Sequence, residues 1–150
     1  MGQSPVTEQA FLGSWRLLSF ETRRSSGQVD RPFGPNPGGV ITYSEGQRLS
    51  AMLWRLDRTP FAVEDQQQGS AEEYAAAVRS IVQYVGTFEL RADESTIVHR
   101  IEQSVFPNLN GVEQVRFYEV SDDEDGLVLT TPPIVYGGEA VVSALTWRRL

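Results

Sequence analysis

The sequence contains no cysteine, a single histidine (His99) and only two methionines in 150 residues. Without cysteine there is no disulfide framework, no thiolate metal site and no cysteine nucleophile. A metal site would need clustered carboxylates, and these are scattered along the chain, so we expect neither a metal nor another cofactor. The G-x-S-x-G, G-x-x-x-x-G-K-[ST] and G-x-G-x-x-G patterns are also missing, which argues against hydrolase, P-loop and dinucleotide-binding sites.

Basic residues are few relative to acidic ones. The 13 arginines, with no lysine, against 20 aspartates and glutamates give a formal charge of −7. This charge disfavours nucleic acid and anionic membrane surfaces as partners. No apolar stretch approaches the roughly 20 residues of a membrane span, and residues 1–7 lack the apolar core of a signal peptide. We therefore expect a cytoplasmic protein.

Short runs of strand-forming residues recur between turn residues and predict eight strands. Eight such runs joined by hairpins suit an all-β, closed, up-and-down antiparallel barrel, which leaves no exposed sheet edge. A β-sandwich is the structural alternative. We expect the barrel to occupy residues 11–150, after a disordered tail over residues 1–10. The predicted strands are residues 14–22, 40–44, 49–56, 84–90, 96–106, 113–120, 127–131 and 141–149.

One helix is predicted over residues 70–82, after the third strand. Ser70 is a suitable N-cap, and Glu73 three residues later completes a capping box. Apolar residues then repeat at helical spacing and form a stripe that should pack on the mouth or wall of the barrel. The stripe consists of Tyr74, Ala77, Val78, Ile81 and Val85. Farther along, the acidic run at residues 122–126 lacks the spacing of a calcium loop and predicts a solvated hairpin turn.

Two short segments stand at the ends of the predicted barrel, Gly13-Ser14-Trp15 on the first strand and Thr146-Trp147-Arg148-Arg149 on the last. The first resembles the G-x-W signature of lipocalins, and the second resembles their C-terminal segment, whose arginine packs over that tryptophan. A cation–π contact between Arg148 and Trp15, worth about 0.5–2 kcal/mol, would close one barrel end, a structural role. Further segments resemble bacterial and fungal lipocalin-like domain proteins: FLGSWRLLSFE, PFGPNPGG, TYSEGQRLSAMLWR, EEYAAAVRSIVQYVGTFEL and HRIEQSVFPNLNGVEQVRFYE. This resemblance implies an internal cavity but no single activity, because such barrels include carriers and cofactor-free cyclases or isomerases.

His99 is the first candidate site residue. In the run from Ile97 to Ser104, the charged residues fall on one face, so the face of His99 and Gln103 should point into the barrel. An imidazole there could act as a general acid or base, or donate a hydrogen bond to a ligand carbonyl. A neutral histidine bonded to a neighbour is the structural alternative.

Arg116, Tyr118 and Glu21 are the other polar candidates. If Arg116 points inward, the Arg116-x-Tyr118 pair resembles the carboxylate grip of fatty-acid-binding barrels, but alternation also allows Arg116 to lie on the outer wall. Glu21 shares the predicted face of Trp15 and should approach the mouth. There it could accept a proton or pair with Arg116, or be a solvated rim residue.

Aromatic and sulfur-containing side chains provide the candidate lining. Tyr84 and Phe88 share an inward face, Tyr43 is a further ligand-binding candidate, and Met52 and Trp54 lie in an apolar run whose orientation the pattern does not decide. Such residues at period two are usually core. In a lipocalin-like barrel, however, the core is also the cavity lining.

Three functions remain open at this stage. The chain could bind a hydrophobic small molecule, with Arg116, Tyr118 and the lining residues as contacts. It could instead be a cofactor-free cyclase or isomerase of a natural-product pathway that uses the same cavity, with His99 and Glu21 as catalytic groups. A fully packed interaction module is the third possibility. We expect a hydrophobic small molecule as the partner and a monomer or homodimer.

Overall fold

In the computed structural model, which describes residues 5–150, eight long antiparallel strands close into a barrel, so the predicted fold class is confirmed. The elements are β1 (Gly13–Arg24), β2 (Val29–Asp30), β3 (Gly38–Ser44), β4 (Arg48–Trp54), α1 (Ala71–Arg79), β5 (Ile81–Arg91), β6 (Thr96–Ser104), β7 (Glu113–Val120), β8 (Gly126–Thr130), β9 (Ile134–Tyr136) and β10 (Glu139–Arg149), with short 3-10 turns at Glu8–Ala10, Ala92–Glu94 and Pro107–Leu109. The barrel order is β1-β3-β4-β5-β6-β7-β8-β10, and β10 pairs with β1 to close it. Two short strands, β2 and β9, extend the sheet at β1 and β10.

One barrel end is closed by Trp15 and Arg149, not by Arg148 as predicted. The guanidinium carbon of Arg149 lies 4.2 Å from the centroid of the Trp15 ring. Its Nη1 donates to the carbonyl of Leu12 at 2.7 Å, and its Nη2 donates to the carbonyl of Ala10 at 2.8 Å. Side chains alternate between the two faces of a strand. Trp147 points inward, so Arg149, two residues later, lies on the same face, whereas Arg148 lies on the other face and is exposed.

The turn at Glu8–Ala10 lies against this closed end, within the segment that the sequence assigns to a disordered tail. The indole Nε1 of Trp15 donates to the carbonyl of Phe11 at 2.9 Å, and Phe11 itself is completely buried. The carbonyl of Ala10 accepts from Arg149. Residues 1–4, which the sequence assigns to the same tail, lie outside the described residues.

A bulge in β1 reverses the inward face predicted for that strand. The pairing with β10 shifts between Leu17 and Ser19, so the residues that follow change sides. Phe20 and Thr22 are therefore buried inside the barrel. Glu21 therefore does not share the inward face of Trp15, and that part of the prediction is wrong. Its partly exposed carboxylate forms an ion pair with Arg31 at 3.4 Å, which agrees with the alternative of a solvated residue.

A second bulge, where β5 meets β6, places Gln103 outside. On β5, Val85 pairs with Gln103 and Gly86 pairs with Ile101. Glu102 lies between these two partners and is therefore the extra residue on β6. A Cβ atom on Gly86 would lie 1.9 Å from the carbonyl oxygen of Arg100, so this bulge requires glycine. Because the alternation reverses after the bulge, Gln103 is exposed, and its predicted inward orientation is wrong.

The helix forms where the capping box predicts it but ends earlier than expected. Ser70 Oγ accepts from the amide of Glu73, and the Glu73 carboxylate accepts from the amide of Ser70. The helix α1 follows the third barrel strand and ends at Arg79, after which β-branched residues begin β5. No residue of α1 is buried, and Val78 is 51% exposed. The predicted packing of an apolar stripe against the barrel is therefore wrong.

Replacing Arg149 with methionine should lower the free energy of unfolding by about 2–4 kcal/mol. The change removes the cation–π contact and leaves the partly buried carbonyls of Ala10 and Leu12 without their charged donor. Arg148→Met is the matched control and should change stability by less than about 0.5 kcal/mol, because Arg148 is exposed. Urea unfolding of both variants measures the difference, and equal losses would mean that Arg149 does not close the barrel.

Candidate functional site

A cavity of about 160 Å³ lies inside the barrel. It occupies the half away from the Trp15–Arg149 contact, since Phe20, Leu53 and Ser143 line it from strand positions toward the opposite end. The wall is mostly aliphatic and aromatic, and β9 contributes Ile134 and Tyr136. Such an apolar enclosure with a few polar groups is typical of small-molecule sites.

A larger groove of about 630 Å³ lies on the outside, between α1 and residues 55–61. One of its charged groups, Arg55, is already paired with Asp57 at 2.8 Å. The groove lies on the outer surface and is more open to solvent than the barrel cavity.

Three of the sequence candidates line the cavity: Tyr84, His99 and Arg116. Their roles as ligand contacts or catalytic groups stay predictions. Three other candidates are buried but do not line the cavity, because they pack around Phe11 or one another in the closed half of the barrel. The ring centroid of Phe11 lies 5.6 Å from that of Tyr43 and 5.0 Å from that of Tyr118, and Phe88 lies 5.0 Å from Tyr43.

Met52 and Trp54 point out of the barrel, so their predicted place in the lining is wrong. In β4 the buried residues are Leu49, Ala51 and Leu53. The residues that alternate with them, which include Met52 and Trp54, face outward. The Trp54 indole covers the backbone of Gly38 on the neighbouring strand, where a Cβ atom would lie 2.2 Å from the indole nitrogen. The sequence does not reveal this orientation because both faces of β4 carry apolar residues.

His99 is held between two tyrosines. Its Nε2 lies 2.7 Å from the hydroxyl of Tyr43, and its Nδ1 lies 2.8 Å from the hydroxyl of Tyr84. Burial and, secondarily, the positive charge of Arg116 lower the pKa of His99 to about 3. Burial also raises the pKa of both tyrosines above the usual value. At neutral pH all three side chains are therefore uncharged.

Arg116 presents a positive charge to the cavity. Its Nη2 donates to Gln114 Oε1 at 2.7 Å, and its Nη1 donates to the carbonyl of Val115 at 3.0 Å. Within residues 5–150 no carboxylate forms an ion pair with it. Burial lowers the pKa of the guanidinium, as expected for a desolvated cation without an acidic partner.

Several lining residues were not predicted from the sequence. Trp147 and Ser143 are buried on the inner face of β10, and within residues 5–150 neither Trp147 Nε1 nor Ser143 Oγ has a hydrogen-bond partner. Strand alternation could have predicted them, because Val141, Ser143 and Trp147 are separated by even numbers of residues and so lie on the same face of β10. Tyr136 has no such signal, because β9 has only three residues.

An eight-stranded antiparallel barrel with an internal cavity and a tryptophan–arginine closure defines the lipocalin-like class. A family model described as a lipocalin-like domain matches residues 12–150, and the chain belongs to this family, which confirms the resemblance found in the sequence. The 4'-hydroxy-3'-methoxypropiophenone carrier protein ppsC of Aspergillus oryzae is similar to this chain, with 32% identity over an alignment of 108 residues that covers 68% of this chain and 96% of that protein. Family and cavity together support small-molecule binding.

Two further properties concern the described part of the chain. Across residues 5–150 no helix has the length and apolar character needed to cross a membrane. The same residues contain no group of three or more side chains suited to holding a metal ion.

Burial of neutral His99 predicts a specific pH dependence of stability. Between pH 6.5, where an unfolded histidine titrates, and about 3, the unfolded chain binds more protons at this position than the folded chain. The free energy of unfolding should therefore fall as pH is lowered through this window, by up to about 1.4 kcal/mol per pH unit. Urea unfolding from pH 7.5 to 5 measures the slope.

The matched control is His99→Asn, which cannot titrate. Its slope over pH 7.5 to 5 should be shallower than that of the unaltered protein, because only carboxylates then contribute. Identical slopes would mean that His99 is not buried in its neutral form.

Proposed function

We propose that the protein is a carrier that binds an apolar, one-ring aromatic molecule in the barrel cavity. The apolar barrel cavity, lined by an Arg116 that has no carboxylate partner within residues 5–150, is the observation that carries this proposal. A cavity of about 150 Å³ lined by apolar side chains accommodates a ligand of the size of benzene. The volume of about 160 Å³ here therefore suits a single substituted ring better than a fused polycycle.

Arg116 provides the polar anchor for such a ligand. A half-buried guanidinium with only neutral partners is imperfectly compensated, and an oxygen-bearing substituent on the ligand would add a further charge-assisted hydrogen bond. The name of the fungal relative describes a one-ring aryl ketone with hydroxyl and methoxy groups, whose oxygen atoms can accept such hydrogen bonds.

A cofactor-free cyclase or isomerase that uses the same cavity is the alternative. His99 would be its acid–base group, but both imidazole nitrogens already contact tyrosine hydroxyls, and a pKa of about 3 makes it a weak base at neutral pH. These contacts favour a carrier. The glutamate predicted as its partner in catalysis, Glu21, lies on the outer surface.

Native mass spectrometry of the freshly purified protein, followed by calorimetric titration with 4'-hydroxy-3'-methoxypropiophenone, tests the proposal. We expect saturable binding with one ligand per barrel and recovery of the ligand chemically unchanged. A ligand recovered in altered form would support the enzyme instead. A barrel that retains nothing and shows no heat of binding would contradict both functions.

Arg116→Met should weaken ligand binding without destabilising the fold. Loss of a charged hydrogen bond costs about 1.5–3 kcal/mol, or roughly 10- to 150-fold in affinity. The free energy of unfolding should stay the same or rise, because a partly buried charge without a carboxylate partner is replaced by an apolar group of similar length. Arg16→Met, on the exposed face of β1, is the control and should change neither quantity. Equal affinities for the two variants would contradict the anchoring role.

A further inference from the structure

Tyr43, His99 and Tyr84 form a chain of hydrogen bonds. One of the two tyrosine hydroxyl protons has no acceptor within this chain. A neutral imidazole has one nitrogen that donates and one that accepts, so only one tyrosine can donate to it. The other tyrosine hydroxyl accepts from the imidazole N–H, and its own proton needs a different acceptor. The distances of 2.7 and 2.8 Å fit either order of protons along the chain.

The surroundings of the two tyrosines decide the order. Tyr43 is 1% exposed, its ring contacts Phe11 and Phe88, and within residues 5–150 its hydroxyl makes no hydrogen bond except with His99. A free O–H proton on Tyr43 would therefore be buried without an acceptor, which is unfavourable. Tyr84, by contrast, lines the cavity. The favoured order has Tyr43 donating to His99 Nε2 and His99 Nδ1–H donating to the Tyr84 oxygen.

This order leaves the Tyr84 O–H proton as a donor at the cavity. Hydrogen bonds in a chain polarise one another, which strengthens the donor at the end of the chain. A second donor is present at the same cavity, since Trp147 lines it, is 1% exposed, and has an indole Nε1–H without a partner within the described residues. An indole nitrogen only donates, so Trp147 also needs an acceptor.

We propose that the cavity selects a ligand that carries a carbonyl oxygen, with the Tyr84 hydroxyl and the Trp147 indole N–H as its hydrogen-bond donors. The inference rests on the proposed function and names the ligand class, aryl ketones and similar aromatic carbonyl compounds. Tyr43 and His99 are positioning residues, because they act on the ligand only by setting the direction of the Tyr84 proton. Buried donors left unpaired discriminate strongly against a ligand without an acceptor.

The direction of the chain can be tested without any ligand. Because His99 is the only histidine, the imidazole ¹⁵N signals of the full protein belong to it without ambiguity. Nitrogen-15 NMR at neutral pH should show the proton on Nδ1 and none on Nε2. A proton on Nε2 would assign the free hydroxyl to Tyr43 and overturn the proposal, whatever the ligand data show.

A matched pair of ligands tests the selection. Propiophenone and n-propylbenzene have the same ring and chain length and differ by the carbonyl oxygen. Tyr84→Phe and Trp147→Phe should each lower the ratio of ketone affinity to hydrocarbon affinity by about tenfold. Tyr43→Phe should also lower this ratio, but by less, because it removes only the constraint on the chain. Tyr74→Phe, on α1 and outside the cavity, is the control and should leave the ratio unchanged.

The two proposals fail in different ways. If both ligands bind and the ratio is unchanged in Tyr84→Phe and Trp147→Phe, the carbonyl selection is overturned while the carrier function stands. If neither ligand binds the unaltered protein and no ligand is retained after purification, the carrier function is overturned, and the ligand class falls with it. A purely structural effect of these substitutions would weaken both ligands alike and leave the ratio unchanged.

Discussion

The contact between Arg149 and Trp15 connects the last strand of the barrel with the first. Arg149 combines a cation–π contact at 4.2 Å with hydrogen bonds to backbone carbonyls at Ala10 and Leu12. The cation thus satisfies polar groups that closing the barrel would otherwise bury unpaired. With this end sealed, the remaining unfilled space lies in the other half of the barrel. The position of the cavity is thus a consequence of how the barrel is closed.

The interior combines an apolar wall with polar groups that are only partly satisfied. His99 is fully occupied by its two tyrosines, whereas Trp147 and Ser143 retain donors without acceptors in the described residues, and Arg116 has only neutral hydrogen-bond partners there. Buried polar groups in native proteins are normally paired, so a set of unpaired ones around a single cavity points to a ligand. A packed interaction module, the third function that the sequence left open, would not need them.

The fold could be predicted from the sequence because it depends on local signals. Turn residues separate the strands, the Ser70–Glu73 capping box begins the helix, and the G-x-W segment marks the closed end. The site was predicted only in part, because alternation along a strand fails at a bulge. Glu21 and Gln103 each follow a bulge, and no residue before them in the sequence signals the extra position.

Orientation was also undetermined where both faces of a strand are apolar. Met52 and Trp54 alternate with Leu53 and Ala51, and hydrophobicity alone does not distinguish the two sides. His99 was placed correctly because charged residues occupy the opposite face of β6. The hydrogen-bond partners of His99 come from β3 and β5, and such tertiary neighbours cannot be read from the pattern of one strand.

The pairing of β1 with β10 also has a consequence for the order of folding. The bond from Arg149 to Leu12 joins residues 137 positions apart, so its formation carries a large loop-closure entropy. Contacts of such long range are characteristic of slow-folding β proteins. Until β10 has been synthesised and docked, β1 and β8 remain open edges able to pair with other chains. The nascent protein is therefore most vulnerable to aggregation just before its final strand is in place.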